Sequence, residues 1–230
     1  MTESPPVVVA IDGPSGVGKS AVARELARRL GLPVLETGAM YRAVGWKVLE
    51  EGLDPSDCAA VERLVARLDL ELEADGEGRY RVSLAGRPCG EELYRHDVAQ
   101  ATSRVARIAA VRRDLVRRQR EAALRAGAVV EGRDIGTVVF PETPFKFFLQ
   151  ADARVRAERR WRQENEAGGS PDFEEILAAV EERDARDAGR DLSPLRHDES
   201  YVVVDTSRLS LEEVVGALER TVSARRGNAS

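Results

Sequence analysis

The chain opens on an unbroken apolar run, Val7-Val8-Val9-Ala10-Ile11, followed by glycines. Such a run, rich in β-branched residues, predicts a strand buried on both faces, as in a parallel sheet. The spacing then changes. Val22, Leu26 and Leu30 recur every four positions with Arg24, Arg28 and Arg29 around them, so a helix is predicted over 20–30, ended by Gly31. Strand, glycine turn and helix open a βαβ unit. Residues 33–35 predict a second short strand, and helices follow over 39–49, stopped at Gly52, and over 57–68. Next the period drops to two. Leu70-Glu71-Leu72-Glu73 and Arg79 to Leu84 alternate around Asp75-Gly76-Glu77-Gly78, and Ala85-Gly86 makes a further turn. This predicts a small antiparallel sheet inside an inserted subdomain at 64–95.

Beyond the insert the pattern is helical from Glu91 to Arg125, with a break near Ile108. A strand at 128–131 runs into a second glycine turn, Gly132-Arg133-Asp134. Then come a strand at 146–149, a helix over 152–166, a loop at 167–171, a helix over 172–188, a strand at 201–204 and a helix over 211–222. Residues 224–230 are expected to fray. No internal repeat interrupts this order. The expectation is one α/β domain over 1–230 with about five parallel strands and the small insert.

Composition narrows the classes. At 230 residues, with 43% hydrophobic and 33% charged types, the chain suits a globular domain rather than a disordered or fibrous one. Its formal charge of −5 disfavours a protein that holds nucleic acid mainly by neutralising phosphates. No apolar stretch is long enough to span a membrane, and the N-terminus lacks the basic and apolar regions of a secretory signal. Cys58 and Cys89 form neither a metal motif nor a disulfide framework and are expected as small buried side chains. A cytoplasmic location is expected. Only three lysines, Lys19, Lys47 and Lys146, stand against 32 arginines. An arginine is therefore weak evidence of function here without a further argument.

The chemistry starts at Gly13-Pro14-Ser15-Gly16-Val17-Gly18-Lys19-Ser20, which fits G-x-x-x-x-G-K-[ST] between a strand and an amphipathic helix. Glycines let backbone N–H groups turn toward phosphates, and the helix N-terminus adds favourable potential. Lys19 suits the β and γ phosphates, and the Ser20 hydroxyl suits a magnesium shell. The motif predicts binding of ATP or GTP with Mg²⁺. It does not name the phosphate acceptor.

Three further segments gather polar groups at or near predicted strand ends, where open parallel sheets bind ligands: 36–42, 131–134 and 183–190. With IDGPSGVGKS (11–20), TGAMYR (37–42), EGRDIGTVVFP (131–141), ERDARD (182–187), SPL (193–195) and VDTSRLS (204–210) in this order, the chain resembles the bacterial cytidylate kinase family of nucleoside-monophosphate kinases over most of 7–222. The resemblance implies a three-layer P-loop nucleotide kinase fold of strand order 2-3-1-4-5, with a CMP-binding insert and a short lid within 154–190. It implies transfer of the γ-phosphate of ATP to CMP or dCMP, with Mg²⁺. By position, Arg42, Arg133, Arg183 and Arg190 should surround the CMP phosphate and the migrating group, with Lys19, Arg133, Arg183 and Arg190 as catalytic residues. Ser103, Arg112 and Asp134 should read cytosine, with Thr37 in the CMP-site segment and Tyr41 and Asp187 on the ribose side. Arg156, Arg159 and Arg160 are the candidates for ATP from the lid.

Elementary chemistry agrees with those roles. Phosphoryl transfer asks for positioning and charge neutralisation more than covalent help. Cytosine offers a donor at N4 and acceptors at N3 and O2, which a carboxylate and an arginine or hydroxyl complement. Uracil reverses the donor pattern and leaves buried groups unpaired, at about 1–3 kcal/mol each. An acceptor phosphate is already ionised, so no general base is needed, and His96 and His197 are expected to be surface or structural. Taken singly, the same residues have plainer readings. Arg112 suits a helix surface, Tyr41 suits packing, Arg133 and Asp134 suit a turn ion pair, and Asp187 suits an i,i+4 pair with Arg183. Glu131 stands where the family more often has Asp, and would act on the metal through water. Thr37 replaces a usual Ser, and Ser20 stands where some members have Gly. Each departure keeps the needed group. The rival readings are another P-loop small-molecule kinase, separable by acceptor competition, and a non-enzymatic nucleotide switch, which would bind nucleotide without turnover.

Overall fold

The computed structural model describes residues 6–166, 168–188 and 195–227, with the side chains of 186–188 outside the description. The chain divides into two compact units: Met1–Val7 with Gly31–Val130, and Val8–Leu30 with Glu131–Ser230.

The second of these carries strand β1 (Val8–Asp12), helix α1 (Lys19–Leu30) and every later element from the end of strand β6 (Ala128–Gly132) onward. These are strand β7 (Phe145–Gln150), helices α6 (Ala153–Glu166) and α7 (Phe173–Ala188), strand β8 (Val202–Asp205) and helix α8 (Leu211–Gly227). β1 and β6 are buried along their whole length, and β7 in all but its last residue. That matches the continuous apolar runs of their sequences and the two-sided cover of a parallel sheet. β1 runs parallel to β7, with Val9 opposite Phe145 and Asp12 opposite Phe148, and β7 runs parallel to β8. α1 packs on α8, and Val22, Leu26, Val215, Leu218 and Val222 are buried there. Helices α6 and α7 pair around their own small core of Ala157, Ile176 and Val180.

The other unit holds β2 (Val34–Glu36), α2 (Thr37–Glu50), α3 (Cys58–Ala66), β3 (Leu70–Ala74), β4 (Tyr80–Leu84), β5 (Arg87–Pro88), a 3-10 turn (Glu91–Tyr94), α4 (His96–Val105), α5 (Ala109–Ala126) and most of β6. The predicted hairpin is present: β3, β4 and β5 form an antiparallel sheet with Leu72 opposite Val82. Helix α3 starts where Asp57 accepts the Ala60 N–H at 3.0 Å, an N-cap that satisfies one otherwise orphaned amide. α2 packs on α4, and α3 on α5.

The larger sheet is five-stranded and parallel, in the order β2-β6-β1-β7-β8. Counting only its own strands, that is the order 2-3-1-4-5. The break expected near Ile108 separates α4 from α5. Three local features differ from expectation. A π turn covers Ile135–Val139, where the apolar sequence IGTVV carried no helical signal. α8 continues to Gly227, five residues past the expected end. Cys58 is exposed and Cys89 half-buried, because Cys58 occupies the first turn of α3 on its solvent side rather than the core stripe.

Candidate active site

The turn after β1 is built for close approach. Gly13 has φ +151°, and a Cβ there would lie 2.2 Å from the Leu149 carbonyl oxygen. Only glycine lets the chain leave β1 against β7 in this way. The loop ends at Lys19, nearly buried, whose Nζ donates to the Pro14 carbonyl at 2.7 Å. Burial, chiefly, and the charges of Arg133 and Arg183 pull this ammonium down from 10.5 to about 7, while Glu131 and Asp12 oppose them. Arg133 and Arg183 are thus close enough to Lys19 to shift its proton affinity. Lys19, Arg133 and Arg183 gather around one point together with the carboxylates of Glu131 and Asp12.

Two sets of hydrogen bonds join this loop to the turn after β6. The Ser20 hydroxyl donates to Glu131 Oε1 at 2.9 Å. Asp12, the last residue of β1, accepts the backbone N–H groups of Ile135 and Gly136 at 2.8 and 2.9 Å. Arg133 and Asp134 lie between these ties, and Asp134 and Glu131 are buried. The motif at 13–20 and the motif at 131–134 therefore meet in one unit although more than a hundred residues separate them.

The arginines expected to reach ATP from the 154–190 region are tied down. Arg156, 4% exposed, pairs with Asp184 of α7 at 2.5 Å and donates to the carbonyls of Ala151 and Ser15. It thereby links α6, α7 and the phosphate loop. Arg159 donates to the Thr206 hydroxyl and carbonyl at 3.1 and 2.6 Å, and Thr206 in turn donates to Val17. Arg160 lies on the exposed face of α6, paired with Glu164. Arg190 lies outside the described residues, as does the side chain of Asp187.

In the other unit, α2 and α5 bring Arg112 over the Tyr41 ring, 5.9 Å from its centre, with Arg112 buried rather than on the helix surface. Arg42 stacks on Tyr94 at 5.1 Å and donates to the Leu93 carbonyl at 3.4 Å. Thr37 is buried in the first turn of α2, and Ser103 is half-buried on α4.

Comparison with known proteins fits this arrangement. A family model described as cytidylate kinase matches residues 9–224. The chain belongs to the cytidylate kinase family. A cytidylate kinase of Mycobacterium avium is 47% identical over 95% of this chain and 96% of its own, and one of Rhodococcus opacus is 46% identical over 96% of each. One of Geobacter sp. is 42% identical over 95% and 94%. Two solved structures share the fold at low identity. They are an uncharacterized protein from Eubacterium ventriosum (14%, TM-score 0.54, 95% of this chain and 98% of that one) and a gluconokinase from Sinorhizobium meliloti (17%, TM-score 0.50, 97% and 95%). In this member of the cytidylate kinase family, sequence reasoning passed over Asp12 and Tyr201. The available signal was a carboxylate at the end of an otherwise apolar strand.

Proposed function

We propose that this enzyme transfers the terminal phosphoryl group of ATP to CMP or dCMP, giving ADP and CDP or dCDP, by direct in-line displacement. The observation that carries this reading is the fastening of the Glu131–Asp134 turn to the phosphate loop through Ser20 and Asp12. These bonds hold the 131–134 turn beside the 13–20 loop inside one compact unit, which supports the reading.

Lys19 holds the terminal phosphates of ATP, together with the inward amides of residues 13–20. Arg133 and Arg183 neutralise the equatorial oxygens of the moving group, with Arg190 in the same role. Asp134 takes the N4 hydrogen of cytosine, while Arg112 and Ser103 supply donors. Tyr41 and Asp187 take the ribose side, Arg42 the CMP phosphate, and Thr37 supplies a hydroxyl in the CMP-site segment. Arg156, Arg159 and Arg160 serve the ATP side from the lid. Water is kept from the donor by closure of the 154–190 region.

The residues present fit magnesium. Among the described residues no group of three or more His, Cys, Asp or Glu forms an all-protein cage. Magnesium takes one or two hard oxygen ligands from the protein and the rest from phosphate and water. Ser20, in direct contact, and Glu131, through water, offer that set, and their hydrogen bond already brings the two oxygens together. The bound ion supplies neutralisation of the β and γ phosphate charge.

The enzyme is taken as a cytoplasmic monomer that acts on small nucleotides and needs neither nucleic acid nor membrane. No described helix is long and apolar enough to cross a membrane. Steady-state phosphorylation with CMP, dCMP, UMP and AMP side by side tests the reading. CMP and dCMP should lead, and a preference for UMP or AMP overturns the specificity.

A further inference from the structure

Asp12 is wholly buried, and three donors converge on its carboxylate. Oδ1 accepts the Ile135 N–H at 2.8 Å, and Oδ2 accepts the Gly136 N–H at 2.9 Å and the Tyr201 hydroxyl at 2.8 Å. The two amides open the 135–139 turn and have no carbonyl within that turn to bond. Asp134 occupies the N-cap position, where an aspartate ordinarily caps with its own side chain. Here the Asp134 side chain makes no capping bond. Asp12 supplies the cap instead, from a position 123 residues earlier in the chain.

The surroundings are shaped for this. A Cβ on Gly136 would sit 2.5 Å from the Tyr201 hydroxyl oxygen, so glycine at 136 is what admits Tyr201 to Asp12. Burying an ionised carboxylate is unfavourable, and burial pushes Asp12 up from 3.8 to about 6 despite its three donors. An apolar residue at the end of β1 would avoid that cost, so packing alone does not account for a carboxylate here.

Asp12 also stands directly before Gly13, and the amides it holds stand directly after Arg133 and Asp134. We infer that Asp12 is a positioning residue for phosphoryl transfer, capping the 135–139 turn from strand β1 so that Asp134 is relieved of that bond and the Arg133–Asp134 pair is fixed beside the phosphate loop. The inference rests on the proposed roles of Arg133 and Asp134 toward the acceptor. A displacement of about 1 Å at such groups can cost about a hundredfold in rate.

The test is Asp12→Asn, with Tyr201→Phe beside it. Asparagine keeps the volume, but its amide nitrogen cannot accept, so at least one capped N–H loses its partner. The expected result for D12N is a fall of about tenfold or more in kcat/KM for the monophosphate that the wild type uses best. Its discrimination between CMP and UMP should narrow. The Kd for a fluorescent ATP analogue, measured without acceptor, should stay within about twofold. Y201F removes one donor of three and should move acceptor use the same way by less. Acceptor kinetics of D12N within about twofold of wild type overturn the inference, as does a parallel loss of ATP binding. If D12N does not fold, Y201F decides: an unchanged acceptor kcat/KM overturns the inference. Because the ratio is read with the best acceptor, a wild type that prefers another monophosphate defeats the cytosine reading while these variants still decide the role of Asp12.

Discussion

A single carboxylate distinguishes the two halves of the proposed reaction. Asp134 is buried, follows Arg133 and makes no capping bond to its own turn, which supports the base-reading role proposed for it. Asp134→Ala should therefore raise KM for CMP and erase most of the preference over UMP, by about tenfold or more, while ATP binding holds. Equal loss of both substrates, in isothermal titration with each nucleotide separately, would refute base reading by this residue. Which residues were legible beforehand follows from how local their signal is. Lys19 and Ser20 sit in a contiguous motif whose physics demands them. Arg112 taken singly suits a helix surface, since it is one of eight arginines in residues 104–125, yet it is buried against Tyr41. Asp12 gave almost no signal, because its partners lie 123, 124 and 189 positions away.

At the level of elements, hydrophobic period located the long helices and every strand except the two-residue β5, whose Arg87 and Pro88 are both exposed. β1, β6 and β7 are largely apolar because both their faces are covered, and β3 alternates because one of its faces is wet, whereas β4 buries Val82, Ser83 and Leu84 in succession. The π turn at Ile135–Val139 escaped, since it is held by a cap from another strand and by a close approach at Gly136, neither of which is local. The α6–α7 hairpin has a further consequence. Its core of Ala157, Ile176 and Val180 is a separate small cluster; Arg156 of α6 pairs with Asp184 of α7 inside the hairpin and reaches the loop below through the Ser15 carbonyl. Small clusters open at lower free energy than a main core. Ile176→Ala should speed amide exchange across 153–188 by about tenfold or more and leave β1 and β6 at wild-type protection. Exchange measured by mass spectrometry checks this. Uniform acceleration throughout the chain would show that the hairpin is not an independent unit of stability.

Over the whole molecule, the phosphate loop holds a charge that the fold itself disfavours. Lys19 is lowered from 10.5 to about 7, mainly by burial. The unfolded chain keeps that proton up to 10.5, whereas the folded chain sheds it near 7. Between those values the unfolded state binds more protons, so stability rises with pH across the window and is lost as pH falls through 7. Asp12 acts in the other direction and in another window. Raised from 3.8 to about 6, it adds stability below 3.8 that is lost as pH rises through 6. The two windows do not overlap, and the raised Cys89 and Tyr201, which titrate at higher pH, are common to wild type and variant, so the difference between the two proteins reads Lys19. Lys19→Met removes the titration while keeping an unbranched side chain. In urea unfolding without nucleotide, K19M should exceed the wild type most at pH 7. The gap should close toward pH 10 by at most about 1.4 kcal/mol per pH unit. ATP should narrow it at neutral pH as well, because phosphates bound to the wild type meet the buried ammonium and stabilise the folded state. A gap that stays flat from pH 7 to 10 would mean that Lys19 is charged at no cost in the folded protein, and that the loop is not poised for an anion.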